Sequence, residues 1–124
     1  AWAGRSGPVP VATPHPGEMG TLLGRTTAAV QEDRIGAARE AARRFGIVAL
    51  LKGARTLVAT PDGALAVGRD GSPALATAGS GDVLTGAVAA LLAAGLSPVD
   101  AAAAGAFLHA RAGEIAAETI GSAG

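Results

Sequence analysis

Ala78-Gly79-Ser80-Gly81-Asp82 leads directly into the apolar run Val83-Leu84-Thr85-Gly86-Ala87-Val88. A turn with so little side-chain bulk, opening a helix with a carboxylate in its first turn, predicts a strand–turn–helix unit. The first N–H groups of a helix have no internal partner, and the macrodipole favours negative charge beside them. Two readings use these residues. In one, Ser80 caps the helix and Asp82 complements the dipole, which leaves both glycines unexplained. In the other, Gly79 and Gly81 admit a transferred phosphoryl group and Ser80 donates to it. Asp82 then takes a proton from a substrate hydroxyl. No lysine follows the last glycine, so this is not a P-loop.

The rest of the chain supplies matching strands and helices. Val9 to Ala12 reads as a short buried strand, and a helix is predicted from Pro16 or Gly17 to about Leu23, stopped by Gly24. Ile35, Ala38, Ala42 and Phe45 recur at helical spacing and predict a second helix with that stripe inward, ended by Gly46. Ile47 to Leu51 is continuously apolar, as for a strand covered on both faces. Thr56–Thr60 and Ala64–Val67 read as strands joined by the Pro61-Asp62-Gly63 turn. Arg69–Pro73 reads as a loop and Ala74–Thr77 as a strand feeding the Gly-rich turn. The helix after it puts Leu84, Ala87, Val88, Leu91 and Leu92 on one face and ends at Gly95. Ser97-Pro98-Val99-Asp100 opens the last helix, with Val99, Ala103, Ala106, Phe107 and Ala110 as the expected buried stripe. Strands alternating with helices, plus one antiparallel pair, argue for an α/β layered fold.

Composition narrows the partners. Ten basic and ten acidic residues cancel, so no net field draws the chain to nucleic acid or an anionic membrane. Aromatic residues are confined to Trp2, Phe45 and Phe107, too few for base-stacking platforms. Absence of cysteine excludes a disulfide framework and fits a reducing cytoplasm. The longest apolar run, Val83 to Leu96, falls short of the roughly 20 residues of a spanning helix, and the opening segment has no signal-peptide pattern. A cytoplasmic protein is expected.

Two further segments stand out. Lys52 is the lone lysine, at the C-terminal end of the Ile47–Leu51 strand and followed by Gly53-Ala54-Arg55-Thr56. Ligands of open α/β sheets gather beyond strand C-termini, so it is either a phosphate contact or a solvated loop residue. In Thr13-Pro14-His15-Pro16-Gly17-Glu18, two prolines fix the backbone around His15. That imidazole is either a rigidly presented binding group or part of a plain proline turn. His109, in the last helix, reads as a packed or surface residue, and Arg111, Glu114 and Glu118 as a solvated face. No metal-ligand spacing is present.

Together, Thr13–Met19, Leu51–Thr56 with Pro61-Asp62-Gly63, and Leu75–Gly86 resemble the ADP-dependent NAD(P)H-hydrate dehydratase family of the ribokinase-like superfamily. The segments around Leu108-His109 and Ala112-Gly113 are similar to it as well. The resemblance implies a ribokinase-like three-layer α/β sandwich, of which residues 1–124 would be the C-terminal part of one domain, its N-terminal half missing. It implies repair of nicotinamide cofactors hydrated at ring carbon C6. ADP (ATP in some members) phosphorylates the C6 hydroxyl, and phosphate leaves to regenerate NADH or NADPH. Asp82 would be the base and, with His15, would contact the hydrate. Lys52, Gly53, Ala54, Arg55, Thr56, Gly79, Ser80 and Gly81 would line the nucleotide site. Magnesium is implied, without a ligand residue, as are a homotetramer and a hydrate epimerase fused or separate. The rival expectations are a small-molecule (vitamin-precursor) kinase of the same superfamily and an inactive nucleotide-binding fragment. An isolated piece of this length is expected to be inactive.

Overall fold

The structure, a computed structural model, describes residues 7–70 and 80–120. A four-stranded mixed sheet runs in the order β1 (Val11–Ala12), β2 (Val48–Leu51), β3 (Arg55–Ala59), β4 (Leu65–Asp70). β1 and β2 are parallel, with Val11 opposite Val48. β2–β3 and β3–β4 are antiparallel, with Leu50 opposite Val58 and Val58 opposite Ala66. Parallel strands need a crossover, and α1 (Pro16–Leu23), α2 (Thr27–Glu32) and α3 (Arg34–Phe45) supply it.

Period-two alternation along β2 builds two cores. Ala49 and Leu51 face Met19, Val30 and the alanines Ala37, Ala38, Ala41 and Ala42. Val48 and Leu50 face Leu84 and Val88 of α4 (Ser80–Ala93) and Ala101 and Ala102 of α5 (Pro98–Ile120). Helices therefore cover both sides of the sheet, and this accounts for the unbroken apolar run of β2. Burying one leucine in such a layer is worth about 2 kcal/mol. Gly105 permits the close α4–α5 crossing, since a Cβ there would stand 2.7 Å from Val88 Cγ2.

Helix ends follow the sequence closely. Gly24 and Gly46 close α1 and α3 in the left-handed conformation, at φ of 69° and 65°. Asp33 caps α3 by accepting the Gly36 N–H at 3.0 Å. The Ser97 hydroxyl accepts the Asp100 N–H at 3.3 Å at the start of α5.

Several expectations are corrected. On α3, Ala38 and Ala42 are buried as expected together with Ala37 and Ala41, but Ile35 is 43% exposed, so small residues set the inward face. Val99 and Phe107 are 37% and 54% exposed, while Ala101, Ala102 and Gly105 face inward, because α5 lies too close to the sheet and α4 to seat bulk. Leu92 stands at the edge of the α4 face and not within it. β4 extends to Asp70, into what reads as a loop, because its backbone remains paired to Arg55. α2 was not foreseen at all. The expected Ala74–Thr77 strand lies outside the described residues.

Candidate active site

Since β1 and β2 run parallel, the segments that leave their C-terminal ends emerge on the same side. These are Thr13-Pro14-His15 and Lys52-Gly53-Ala54, and one hydrogen bond joins them, from the Lys52 N–H to the Pro14 carbonyl at 2.9 Å. The amino terminus of α4 comes to the same place. Lys52 Nζ lies 2.9 Å from where a Cβ on Gly81 would stand. The Thr13 and Thr85 hydroxyls are 3.0 Å apart, and Thr85 also donates to the Gly81 carbonyl at 3.0 Å. The structure thus brings Lys52, Gly81, Asp82 and the Thr13–His15 segment to one edge of the sheet. The sequence alone showed them only as separate motifs.

The electrostatics of this edge combine positive groups with the Asp82 carboxylate. A helix amino terminus carries partial positive charge, and an ammonium beside it is repelled unless an anion lies nearby. Gly81 leaves room for that ammonium. Asp82, in the first turn of α4, is solvent-exposed. A carboxylate so placed is open to a substrate hydroxyl. The expected contributions of Gly79 and of the Ser80 hydroxyl lie outside the described residues, although Ser80 itself begins α4.

His15 is the N-cap of α1. Its Nδ1 accepts the Glu18 N–H at 3.1 Å, while Glu18 Oε1 accepts the His15 N–H at 3.0 Å. This is a capping box with histidine in the place of serine or threonine. A neutral ring that accepts at Nδ1 carries its proton on Nε2, which fixes the tautomer offered to solvent or ligand. The His15 N–H holds the Glu18 carboxyl below the usual glutamate range. Burial opposes that effect next in size, and the electrostatic influence of the His15 and Lys52 side chains adds smaller lowering contributions. On α5, burial first and the Lys52 charge second push the pKa of His109 down.

Thr13, Arg34, Thr85 and His109 were not foreseen as site residues. Thr13 and Thr85 carried a signal, because both stand inside the motifs already singled out. Arg34 carried no such signal, yet its guanidinium reaches the Lys52–Arg55 turn. Among the described residues, no group of three His, Cys, Asp or Glu side chains gathers to hold a metal ion.

Fold and site together define the class, an α/β protein of ribokinase-like architecture with a helix amino terminus at the sheet edge. A ribokinase-like superfamily protein of Enterococcus faecalis V583 superposes with a TM-score of 0.73 at 30% identity, over 88% of this chain and 37% of that one. The ADP/ATP-dependent NAD(P)H-hydrate dehydratase of Bacillus subtilis, co-crystallised with ATP/Mg2+, superposes at 0.89 and 34% identity, over 96% of this chain and 43% of that one. The bifunctional NAD(P)H-hydrate repair enzyme Nnr of Moorella thermoacetica is 55% identical over 118 residues, which are 95% of this chain and 22% of the relative. The family model for NAD(P)H-hydrate dehydratase matches residues 3–123, and the chain belongs to that family. It spans well under half the length of each of these relatives.

Proposed function

We propose that this chain carries the nucleotide-facing, C-terminal part of an ADP-dependent NAD(P)H-hydrate dehydratase that returns (S)-hydrated NADH or NADPH to the reduced cofactor. One observation carries the reading: the Lys52 ammonium stands at the Gly81 end of α4, and these two positive groups together favour a phosphate anion there. Similarity to the Bacillus subtilis enzyme, named as ADP/ATP-dependent, supports a nucleotide as that anion.

In this reading Lys52, the Gly53–Thr56 turn and the Gly79–Gly81 backbone bind the diphosphate, and His15 contacts the hydrated nucleotide. Asp82 takes the proton of the C6 hydroxyl as its oxygen attacks the terminal phosphorus of ADP, releasing AMP. Phosphate then leaves C6 with loss of a ring proton, restoring the double bond. Magnesium would arrive on the nucleotide phosphates and neutralise their charge; such an ion needs only one or two protein carboxylates, so the lack of an acidic cluster among the described residues suits it.

Around the reaction, the proposal extends to a protein of the cytoplasm that assembles as a homotetramer. No helix among the described residues is long and apolar enough to cross a membrane. An epimerase supplied in the same polypeptide or separately fits the bifunctional name of the Moorella relative.

The test uses the whole polypeptide that carries this chain, incubated with NADH hydrate, magnesium and ADP or ATP. ADP-dependent recovery of reduced-nicotinamide absorbance is the expected result. A folded, nucleotide-binding protein that shows no recovery with either donor would overturn the dehydratase and leave the small-molecule kinase.

A further inference from the structure

Arg34 stands at the first position of α3, next to the capping Asp33, where a long cation would ordinarily extend into water. It turns inward instead. Nη2 donates to the Arg55 carbonyl at 2.7 Å and Nη1 reaches the Lys52 carbonyl at 3.4 Å. Nη1 also donates to Gln31 Oε1 at 2.9 Å, which holds the guanidinium from its other side. The group lies flat against Gly53, whose φ is 157°. A Cβ there would stand 2.7 Å from Nη2 and 2.8 Å from Nη1. Gly53 is therefore the space in which the guanidinium rests. Partial burial holds the Arg34 pKa below the usual arginine value, in keeping with a cation withdrawn from water to serve two carbonyls.

The grip has a directional consequence. The described peptide bonds are trans, so each carbonyl there points opposite to the N–H of the next residue. Drawing the Lys52 carbonyl toward Arg34 turns the Gly53 N–H away from it. The Lys52 N–H is meanwhile committed to the Pro14 carbonyl. Both ends of its backbone are thus held, and from that position the Lys52 side chain extends to Gly81. A planar fork can span two carbonyls, whereas an ammonium is a point donor.

We propose that Arg34 is a positioning residue for the nucleotide: it orients the Lys52–Arg55 turn so that the Lys52 ammonium and the Gly53 N–H present themselves to the diphosphate. The inference rests on the nucleotide site of the proposed function. It assigns to α3 a part in that site that none of the chain's motifs indicates. Arg34 acts through the turn and touches neither substrate.

The experiment compares wild type, Arg34→Ala and Arg34→Lys in the whole polypeptide. It reads KM for ADP, KM for NADH hydrate, kcat, the ADP dissociation constant by calorimetry, and Tm. Both variants are expected to raise the ADP KM and dissociation constant about tenfold, with the hydrate KM unchanged. Added guanidinium ion should recover part of the affinity in Arg34→Ala and none in Arg34→Lys, where the site is filled. Arg34→Lys, which keeps the charge, serves as the informative variant where Arg34→Ala fails to fold. An active wild type whose Arg34→Lys variant binds ADP normally, or loses both KM values in parallel with Tm, overturns the inference alone. A wild type with no ADP-dependent turnover overturns the dehydratase reading itself, a separate result read from a separate sample.

Discussion

The Thr13 and Thr85 hydroxyls meet at 3.0 Å although 72 positions separate them, and they tie the end of β1 to the first turns of α4. Through this contact the Pro14-His15 segment and the helix of Asp82 are held as one unit. Replacing either threonine by valine keeps the shape and removes the bond. A double-mutant cycle should show a coupling of about 0.5 kcal/mol in urea denaturation, at the low end for hydroxyl pairs because both side chains meet water. Additive effects of Thr13→Val and Thr85→Val would show that the contact contributes nothing.

Asp82→Asn keeps size and hydrogen-bonding capacity while removing the base. Turnover should fall by about 10²–10⁴ with ADP affinity nearly unchanged. Retention of most of the rate would reduce Asp82 to a helix-terminus residue that complements the dipole. Single-turnover absorbance and calorimetry separate the two.

Gly81→Ala offers a test in which stability and binding move in opposite directions. Alanine suits a helix better than glycine by up to about 1 kcal/mol, so Tm should hold or rise. The new methyl would occupy space 2.9 Å from Lys52 Nζ, and the flexible side chain would yield by swinging away. ADP should then bind about tenfold more weakly, as for loss of one charge-assisted bond. Unchanged affinity would remove the Lys52–Gly81 approach from the nucleotide site.

Acid stability should carry the signature of Glu18. Its folded pKa is depressed, chiefly by the His15 N–H, so its contribution is present above the unfolded value of about 4.3 and is lost as pH falls through the folded value. Glu18→Gln keeps an acceptor for the capping box but does not titrate. The difference in urea midpoint between wild type and Glu18→Gln should shrink as pH drops from 6 toward 3, by about the worth of an exposed group and no more. A constant difference across that range would refute the assignment.

Legibility along the chain followed how strongly each residue's role is encoded locally. Gly24 and Gly46 announced their helix ends because only glycine takes the left-handed turn cheaply. The β2 run was plain because both faces of it are covered. Ile35, Phe107 and Val99 were misplaced inward for one reason: they draw the eye by size, whereas close packing on α3 and α5 selects alanine and glycine. α2 contributes only Val30 to the core and left no periodic trace. At the site, Lys52, Asp82 and Gly81 were visible from strand and helix ends. The capping role of His15 was hidden because histidine rarely caps, and the reach of Arg34 was hidden because it depends on contacts between α3 and the turn after β2.

The bond from Lys52 N–H to the Pro14 carbonyl has one more consequence. It fixes the gap between the segment bearing His15 and the segment bearing the ammonium when the chain folds, before any molecule arrives. Under the proposed function, a jaw set in this way would select by span: a pair of ligands too long or too short to bridge it would meet the right chemistry at the wrong distance. Discrimination among hydroxylated compounds of similar polarity would then be a matter of length, written into a single main-chain contact between two neighbouring strands.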